Sequence, residues 1–149
     1  MEIVRDGKVF PSTPCFFDDD LCLTLCDIMH DVSGDEFTVN VTSHLCSQTL
    51  WLISSTGEAE LRVCLFNETL IVSRAHMGNT RRGGFTRIVA SLLCKALSTP
   101  QFNMRKFCVE SVCTEAMRDW CVKCGLEAGW NGTVPDEDGL CANYGTCLP

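Results

Sequence analysis

A glycine-rich segment is the part of the sequence whose residue types best fit binding chemistry. It runs over residues 78–84 as Gly-Asn-Thr-Arg-Arg-Gly-Gly and lies between a predicted strand and a predicted helix. The first N–H groups of a helix have no partner inside it and carry partial positive charge, so they attract anions. Gly83 and Gly84 would let the backbone approach a ligand, and Arg81 and Arg82 add charge. The segment is neither a Walker loop nor a dinucleotide fingerprint.

The distribution of charge favours a small polyanion as the ligand of this segment. The chain has a net charge of −7, yet no Asp or Glu lies between Glu68 and Glu110. That interval holds seven basic residues: Arg74, Arg81, Arg82, Arg87, Lys95, Arg105 and Lys106. A nucleic-acid-binding protein usually presents a larger basic footprint. We therefore expect no nucleic-acid partner, and the alternative interpretation of the block is a solvated face.

Cysteine is the second residue type with chemical potential, because the chain has 12 of them. Together with three Asn-x-Ser/Thr sequons, they would fit a disulfide-bonded secreted protein. Cys121 and Cys124, with Cys141 and Cys147, are an alternative zinc set, although the second pair is too widely spaced for a zinc knuckle. Many of the cysteines occupy apolar positions of periodic segments, which is typical of free buried thiols. We expect reduced thiols and no metal site.

Length and composition indicate one domain spanning residues 1–149. A hydrophobic fraction of 46% supplies enough apolar residues for a core without a disulfide or metal staple. No apolar run reaches the ~18 residues of a membrane span. The first eight residues also lack the apolar region of a secretory signal. The expectation is a cytoplasmic protein with no membrane partner.

The elements that must position these residues are predicted from hydrophobic periodicity and from capping and turn residues. In order, they are a strand over 1–10, a helix from Asp18 to Gly34, an extended piece over 37–42, a three-stranded meander (50–53, 61–66 and 69–75), a helix from Phe85 to Pro100, a strand over 106–112, a helix capped by Thr114 and ended by Gly125, and an irregular tail over 127–149 whose best strand is 140–144. This order predicts a mixed α/β domain with one mostly antiparallel sheet flanked by helices.

The glycine-rich segment resembles a known cofactor loop. Residues 81–86, Arg-Arg-Gly-Gly-Phe-Thr, are similar to the Arg/Gln-x-x-Gly-x-Gly/Ala loop of the GNAT superfamily of acyl-CoA-dependent N-acyltransferases. In that family the loop lies between strand 4 and the following helix, and its N–H groups bind the pyrophosphate of the cofactor. The resemblance implies that acetyl-CoA, or another acyl-CoA, contacts Arg81, Arg82, Gly83, Gly84, Phe85 and Thr86. Thr86 departs from the usual small residue, and its methyl group would crowd the phosphate.

A second segment is similar to the same family at the expected distance downstream. Residues 114–126 align without a gap to the helix Asn-x-x-Ala-x-x-Leu-Tyr-x-Lys-x-Gly-Phe, with Lys123 and Gly125 identical. The resemblance, strongest over residues 48–126, implies a GNAT-like fold and a cofactor contact at Thr114. It also places Cys121 where the family often has a tyrosine acid. A thiol can donate a proton to the departing thiolate, and the alternative role for Cys121 is an inert core residue.

The general base is the least defined part of the predicted site. The family uses a Glu or His near the central strands, and Glu68 and His76 are the candidates in this sequence. The alternative interpretations are a solvated turn residue for Glu68 and a polar strand-end residue for His76. In such enzymes an amine attacks the thioester directly, so alignment and carbonyl polarisation supply most of the catalysis.

Several functions remain open on the sequence. The first is an N-acetyltransferase acting on an amine of a small molecule or protein, and the acidic remainder of the surface favours a cationic acceptor. The second is a catalytically degenerate GNAT-like protein with a structural or interaction role in an assembly, such as a virus particle. Thr86, Thr114 and Cys121 depart from the family pattern and favour it. A minor third alternative is an enzyme similar to acyl-homoserine lactone synthases, on the residues around Met117 and Trp130. Oligomeric state is not predicted.

Overall fold

A seven-stranded mixed sheet and three α-helices form the fold. The computed structural model describes residues 2–5, 8–11, 14–77 and 83–149, the first two ranges by backbone alone. The strands are β1 (Glu2–Arg5), β2 (Lys8–Pro11), β3 (Phe37–His44), β4 (Ser47–Ser54), β5 (Glu60–Phe66), β6 (Thr69–His76), β7 (Lys106–Val112), β8 (Glu127–Ala128) and β9 (Ala142–Cys147). The helices are α1 (Asp19–Ser33), α2 (Gly84–Ser98) and α3 (Glu115–Lys123). The coarse prediction of a mixed α/β domain is confirmed.

The large sheet has the order β3-β4-β5-β6-β7-β9-β8. Every neighbouring pair is antiparallel except β6 and β7, which are parallel and joined through α2. A parallel pair needs such a crossover, whereas the antiparallel neighbours β3 to β6 follow one another through short turns. The parallel pair therefore lies at the point where the sheet changes from a meander to a helix crossover.

The core lies between one face of this sheet and the first two helices. Alternate residues of the central strands face it, including Leu50 and Leu52 of β4, which pair with Val63 and Leu61 of β5. The apolar stripe of α1 includes Leu25 and Met29, which are fully buried; that of α2 includes Ile88 and Leu92. These residues recur at helical spacing in the sequence, so the amphipathic patterns predicted the core-facing sides of both helices.

Capping residues set the helix ends as the sequence predicts. The Asp18 side chain accepts a hydrogen bond from the N–H of Leu21 at 2.9 Å, and Gly34 adopts φ = 77° after the last turn of α1. Thr114 caps α3 through its hydroxyl oxygen, which accepts from the N–H of Met117 at 3.3 Å. Within the described residues, no helix is long and apolar enough to cross a membrane.

The N-terminal third differs from its prediction in two ways. The strand expected over residues 1–10 is a hairpin, because β1 pairs antiparallel with β2 and Arg5 faces Lys8. The intervening Asp6-Gly7 is a favoured hairpin sequence that the prediction overlooked. The extended piece over 37–42 is a full strand, β3, that pairs with β4 along its length. The predicted three-stranded meander therefore has four strands.

The cysteines are less buried than their apolar spacing predicts. All 12 lie among the described residues and all are free thiols, but only Cys22, Cys108 and Cys121 are buried. Six are exposed: Cys46, Cys94, Cys113, Cys124, Cys141 and Cys147. Hydrophobic periodicity did not predict the exposure of these cysteines. A cysteine side chain is small, so at the border of an apolar stripe it gains little from burial and can remain exposed. No three His, Cys, Asp or Glu side chains of the described residues converge into a metal-sized group.

Candidate functional site

The parallel strands β6 and β7 separate after four residue pairs and leave a wedge-shaped cavity. Their pairing runs from Thr69 with Lys106 to Val72 with Val109. Just beyond Val72 the pairing of β6 with β5 shifts by one residue, and just beyond Val109 the pairing of β7 with β9 also shifts. A bulge bends a strand and increases its twist. Irregularities at the same level in both strands thus account for their divergence.

The wedge is a cavity of about 370 Å³ lined by both strands and the start of α3. Its apolar floor includes Val72 and Val109. Its polar lining includes Ser73, Glu110 and Cys113. A carboxylate beside hydroxyl and thiol groups in a partly apolar cleft is suited to proton transfer on a small bound group.

A second cavity of about 320 Å³ adjoins the wedge at the N-terminus of α2. The two cavities share Ala75, Thr114 and Met117 as lining residues, so together they make one groove. The second cavity brings together six of the ten predicted site residues: His76, Gly83, Gly84, Phe85, Thr86 and Thr114. The groove therefore joins a helix N-terminus to the gap between two strands.

The N-terminus of α2 is open on the side of this groove. No side chain among the described residues accepts a hydrogen bond from its first-turn N–H groups, and the turn contains no acidic residue. Its basic residue, Arg87, is paired with Asp31 of α1, with Nη1 and Oδ2 2.6 Å apart. Among the described residues, the partial positive charge of the helix end thus has no side-chain acceptor, while the guanidinium charge of Arg87 is largely compensated.

Gly83 and Gly84 serve different purposes. Gly83 is exposed with φ = 67°, in the left-handed region that favours glycine, and a Cβ there would meet no atom of the described residues within 4 Å. Gly84 is buried, and a Cβ would lie 2.9 Å from Cγ1 of Val32 and 3.3 Å from Sδ of Met77. The missing side chain of Gly84 therefore admits α1, whereas Gly83 supplies the turn that leads into α2.

Aromatic packing closes the groove on the side of α3. Phe85 and Trp120 meet edge to face with ring centroids 4.5 Å apart. The indole N–H of Trp120 donates to the hydroxyl of Thr86 at 2.9 Å. These contacts fix the first turn of α2 against α3, and they use one acceptor of the Thr86 hydroxyl. Thr114 is engaged similarly, because its hydroxyl caps α3.

Two predicted catalytic residues lie away from the groove. Glu68 occupies the β5–β6 turn, at the opposite end of β6 from His76, and its Oε1 accepts from Nδ2 of Asn103 at 2.9 Å. Cys121 is 0% exposed on the inner side of α3. Burial, with smaller contributions from Cys124 and Cys108, raises the pKa of the Cys121 thiol to about 12. The structure therefore brings neither residue to the cavities.

Arg81 and Arg82, the remaining predicted cofactor residues, lie outside the described residues. Residues that the sequence analysis missed include Ser73, Glu110, Cys113, Met117 and Trp120, which line the groove. Their signal in the sequence was weak, because each occupies an ordinary position of a strand or helix. Ser73 and Glu110 line the groove because β6 and β7 diverge there, and Met117 and Trp120 line it from α3.

Comparisons with known proteins add no family to this description. No protein-family model matches the chain, and no curated protein matches it in sequence.

Proposed function

We propose that this protein is an N-acyltransferase that moves an acetyl or other acyl group from acyl-CoA to an amine. The observation that carries the proposal is the continuity of the groove from the open N-terminus of α2 to the wedge between β6 and β7. Acyl-CoA has the same sequence of chemical parts: a polyanionic end, an extended arm and a reactive thioester. The resemblance of residues 81–86 and 114–126 to the GNAT superfamily supports the same assignment.

The anionic end of the cofactor is assigned to the first turn of α2. The N–H groups of Gly84, Phe85 and Thr86 precede the first intrahelical bonds, and the exposed Gly83 places no side chain in their way. Arg81 and Arg82 belong to this end of the site by sequence. Because Arg87 is already paired with Asp31, backbone dipoles and the two loop arginines supply the attraction.

The thioester is assigned to the wedge. The extra residue of a bulge is left out of the regular ladder, so the irregular stretch of β6 near Ser73 offers a backbone N–H to the carbonyl oxygen. Glu110 in the wedge and His76 in the adjoining cavity are the two bases that lie in the groove. Either would take the proton of the attacking amine, directly or through one water molecule.

The second candidate is a protein that binds acyl-CoA without catalysing transfer, as part of an assembly. One observation favours it: Cys121, at the position of the family's acid, is buried and lines neither cavity, and burial raises the pKa of its thiol to about 12, which makes it a poor proton donor. Catalysis through the groove thus relies on alignment and on one base. Turnover distinguishes the two candidates, since both bind the cofactor.

The experiment that tests the proposal combines cofactor binding with a charge placed in the first turn of α2. Millimolar acetyl-CoA should raise the melting temperature of the reduced protein by roughly 5–10 °C if it reaches ~100 times its Kd. Thr86→Asp puts a carboxylate among the N–H groups and should reduce affinity at least about tenfold. The matched control, Ala90→Asp, adds the same charge to an exposed position of α2 about one turn further on.

Transfer is then measured with a panel of primary amines, by chromatographic detection of free CoA, because the 12 thiols would interfere with thiol reagents. Cofactor-dependent acylation that is lost in Glu110→Gln or His76→Ala supports the enzyme and identifies its base. Binding without transfer to any amine supports the second candidate. Equal melting temperatures with and without acetyl-CoA contradict both.

A further inference from the structure

Two exposed thiols face each other where β7 ends and β9 begins. Val112 pairs with Ala142 in the antiparallel register of these strands. Cys113 follows Val112 and Cys141 precedes Ala142, so each cysteine lies directly beyond the last paired residue of its strand. The N–H of Cys141 donates to the carbonyl of Val112 at 2.8 Å, and Cys141 has a left-handed φ of 61°. The Cys113 thiol has the largest electrostatic effect on the Cys141 thiol, so the two side chains are neighbours.

The backbone geometry at this position suits a disulfide. The hydrogen bond from Cys141 to the carbonyl of Val112, the residue bonded to Cys113, holds the two backbones in direct contact. A disulfide requires the two Cα atoms to lie about 4.4–6.8 Å apart, a separation that backbones in such contact can reach. Both residues are exposed, and an oxidant in solvent therefore has access to them.

We propose that Cys113 and Cys141 form a reversible dithiol–disulfide site. With hydrogen peroxide as oxidant, one thiolate of the pair attacks the O–O bond and yields a sulfenic acid and one water. The other cysteine then attacks that sulfur, forms the S–S bond and releases a second water, so two thiols and one peroxide give one disulfide and two waters. A dithiol reductant reverses the reaction by exchange.

The pair also affects its own ionisation. The neighbouring Cys113, with smaller effects of burial and of Asp136, raises the pKa of the Cys141 thiol. The dithiol–disulfide site requires no acyl-CoA and is independent of the proposed function.

The disulfide would connect the two ends of a segment that forms one wall of the groove. Residues 113–141 include α3, whose Met117 lines both cavities, and Cys113 itself lines the wedge. Closing this segment covalently restricts the unfolded chain and holds the start of α3 against the sheet. The site therefore links oxidation to the rigidity of the groove.

The first test is controlled oxidation of the reduced full-length protein with one equivalent of hydrogen peroxide, followed by peptide mapping and thermal melts. We expect one bridge, between Cys113 and Cys141, and a rise in melting temperature of roughly 5–10 °C that a dithiol reductant reverses. Cys113→Ser and Cys141→Ser should lose the rise, whereas Cys124→Ser, at an exposed cysteine of α3, should keep it. A bridge elsewhere, or an unchanged rise in Cys113→Ser, would overturn the proposal.

A second measurement needs no variant. Phenylarsine oxide binds two thiols that lie close together, so one equivalent should protect both Cys113 and Cys141 of the reduced protein from alkylation by iodoacetamide. Alkylation of both residues at the rate seen without the arsenical would show that the thiols do not act as a pair, and would overturn the proposal even if the serine variants failed to fold.

Discussion

The N-termini of α1 and α2 differ in how their unpaired N–H groups and partial positive charge are satisfied. At α1, Asp18 accepts from the N–H of Leu21, Asp19 and Asp20 fill the first turn, and Lys95 of α2 donates to Asp18. At α2, Gly83 has no side chain with which to cap, and the first turn contains no acid. Among the described residues, carboxylates of the chain therefore satisfy the end of α1, whereas the end of α2 has no side-chain acceptor.

The two helices show that the missing N-terminal cap of α2 depends on its local sequence and is not a general property of this fold. They are equally long, at 15 residues each, and they pack side by side in one core. Stability alone would favour a cap on both, since a capping side chain is worth about 1 kcal/mol. Within the described residues, the uncapped end of α2 lies beside the groove, which is consistent with the proposed ligand site.

The largest predicted effect concerns the close packing at the open end. Gly84→Ala would place a Cβ 2.9 Å from Val32 of α1, and the buried site has little room to relax. We expect a loss of about 2 kcal/mol in the free energy of unfolding, measured by urea denaturation. Gly83→Ala, which meets open space but at positive φ, should cost less, about 1 kcal/mol. A greater loss in Gly83→Ala would reverse the roles given to the two glycines.

The next largest effect is expected from removing the N-terminal cap of α1. Asp18→Ala deletes the acceptor for the Leu21 N–H and the partner of Lys95, so we expect a loss of about 1–2 kcal/mol in unfolding free energy. Asp18→Asn is the control, because asparagine caps about as well as aspartate but carries no charge. If Asn and Ala cost the same, the ion pair with Lys95, rather than the cap, stabilises this end.

The same carboxylate makes the closed end sensitive to acid. Burial raises the pKa of Asp18, but hydrogen bonds from Lys95 and Leu21 and the Lys95 charge outweigh it, so the pKa lies below its ordinary value of 3.8. The stabilisation is therefore fully present above about pH 4 and is lost as pH falls through the folded-state pKa. The difference in unfolding free energy between wild type and Asp18→Asn should shrink from pH 6 to pH 2.5. A constant difference over that range would contradict this sign.

The smallest effect is expected from adding a carboxylate to the first turn of α2, which would make its N-terminus resemble that of α1. Without ligand, Thr86→Asp should increase the free energy of unfolding by about 0.3–1 kcal/mol, because its carboxylate complements the helix dipole and still accepts from Trp120. The gain should decrease in high salt. Stabilisation of the apo protein together with weaker acetyl-CoA binding would separate folding from function at one residue. A destabilised apo protein would show that the Thr86 hydroxyl is needed for packing.

Most elements of the fold were predictable because their signals are local. Strand β7 matches its predicted bounds, and α1 and α3 begin at the caps Asp18 and Thr114. The pairing of β1 with β2 was missed although it is local, because the Asp6-Gly7 signal was overlooked. Strand β3 was predicted too short because its last residues, Ser43 and His44, are polar. The apolar spacing of α2 identified its buried residues for the same local reason.

The candidate site also has a part that local sequence signals predict and a part that depends on tertiary structure. The glycine-rich segment and the open end of α2 were visible in the sequence, since they depend on glycines and on the absence of nearby acids. Glu68 was proposed as a base because it begins a central strand. The predicted order of elements already puts it at the end of that strand away from the loop, and only the structure shows that Glu110 lies in the wedge. Residues on paired strands such as β6 and β7 are close in space although they are far apart in the sequence.

The sequence by itself determined the helices, the strands and the chemical character of the loop, because caps, turns and periodicity act within a few residues. The tertiary structure alone decided where β6 and β7 diverge, which glycine makes room for α1, and that Cys113 faces Cys141. These features arise from the register of strands and from packing between elements far apart in the chain. A register shift of one residue redirects every side chain beyond it, and the groove is the result of two such shifts.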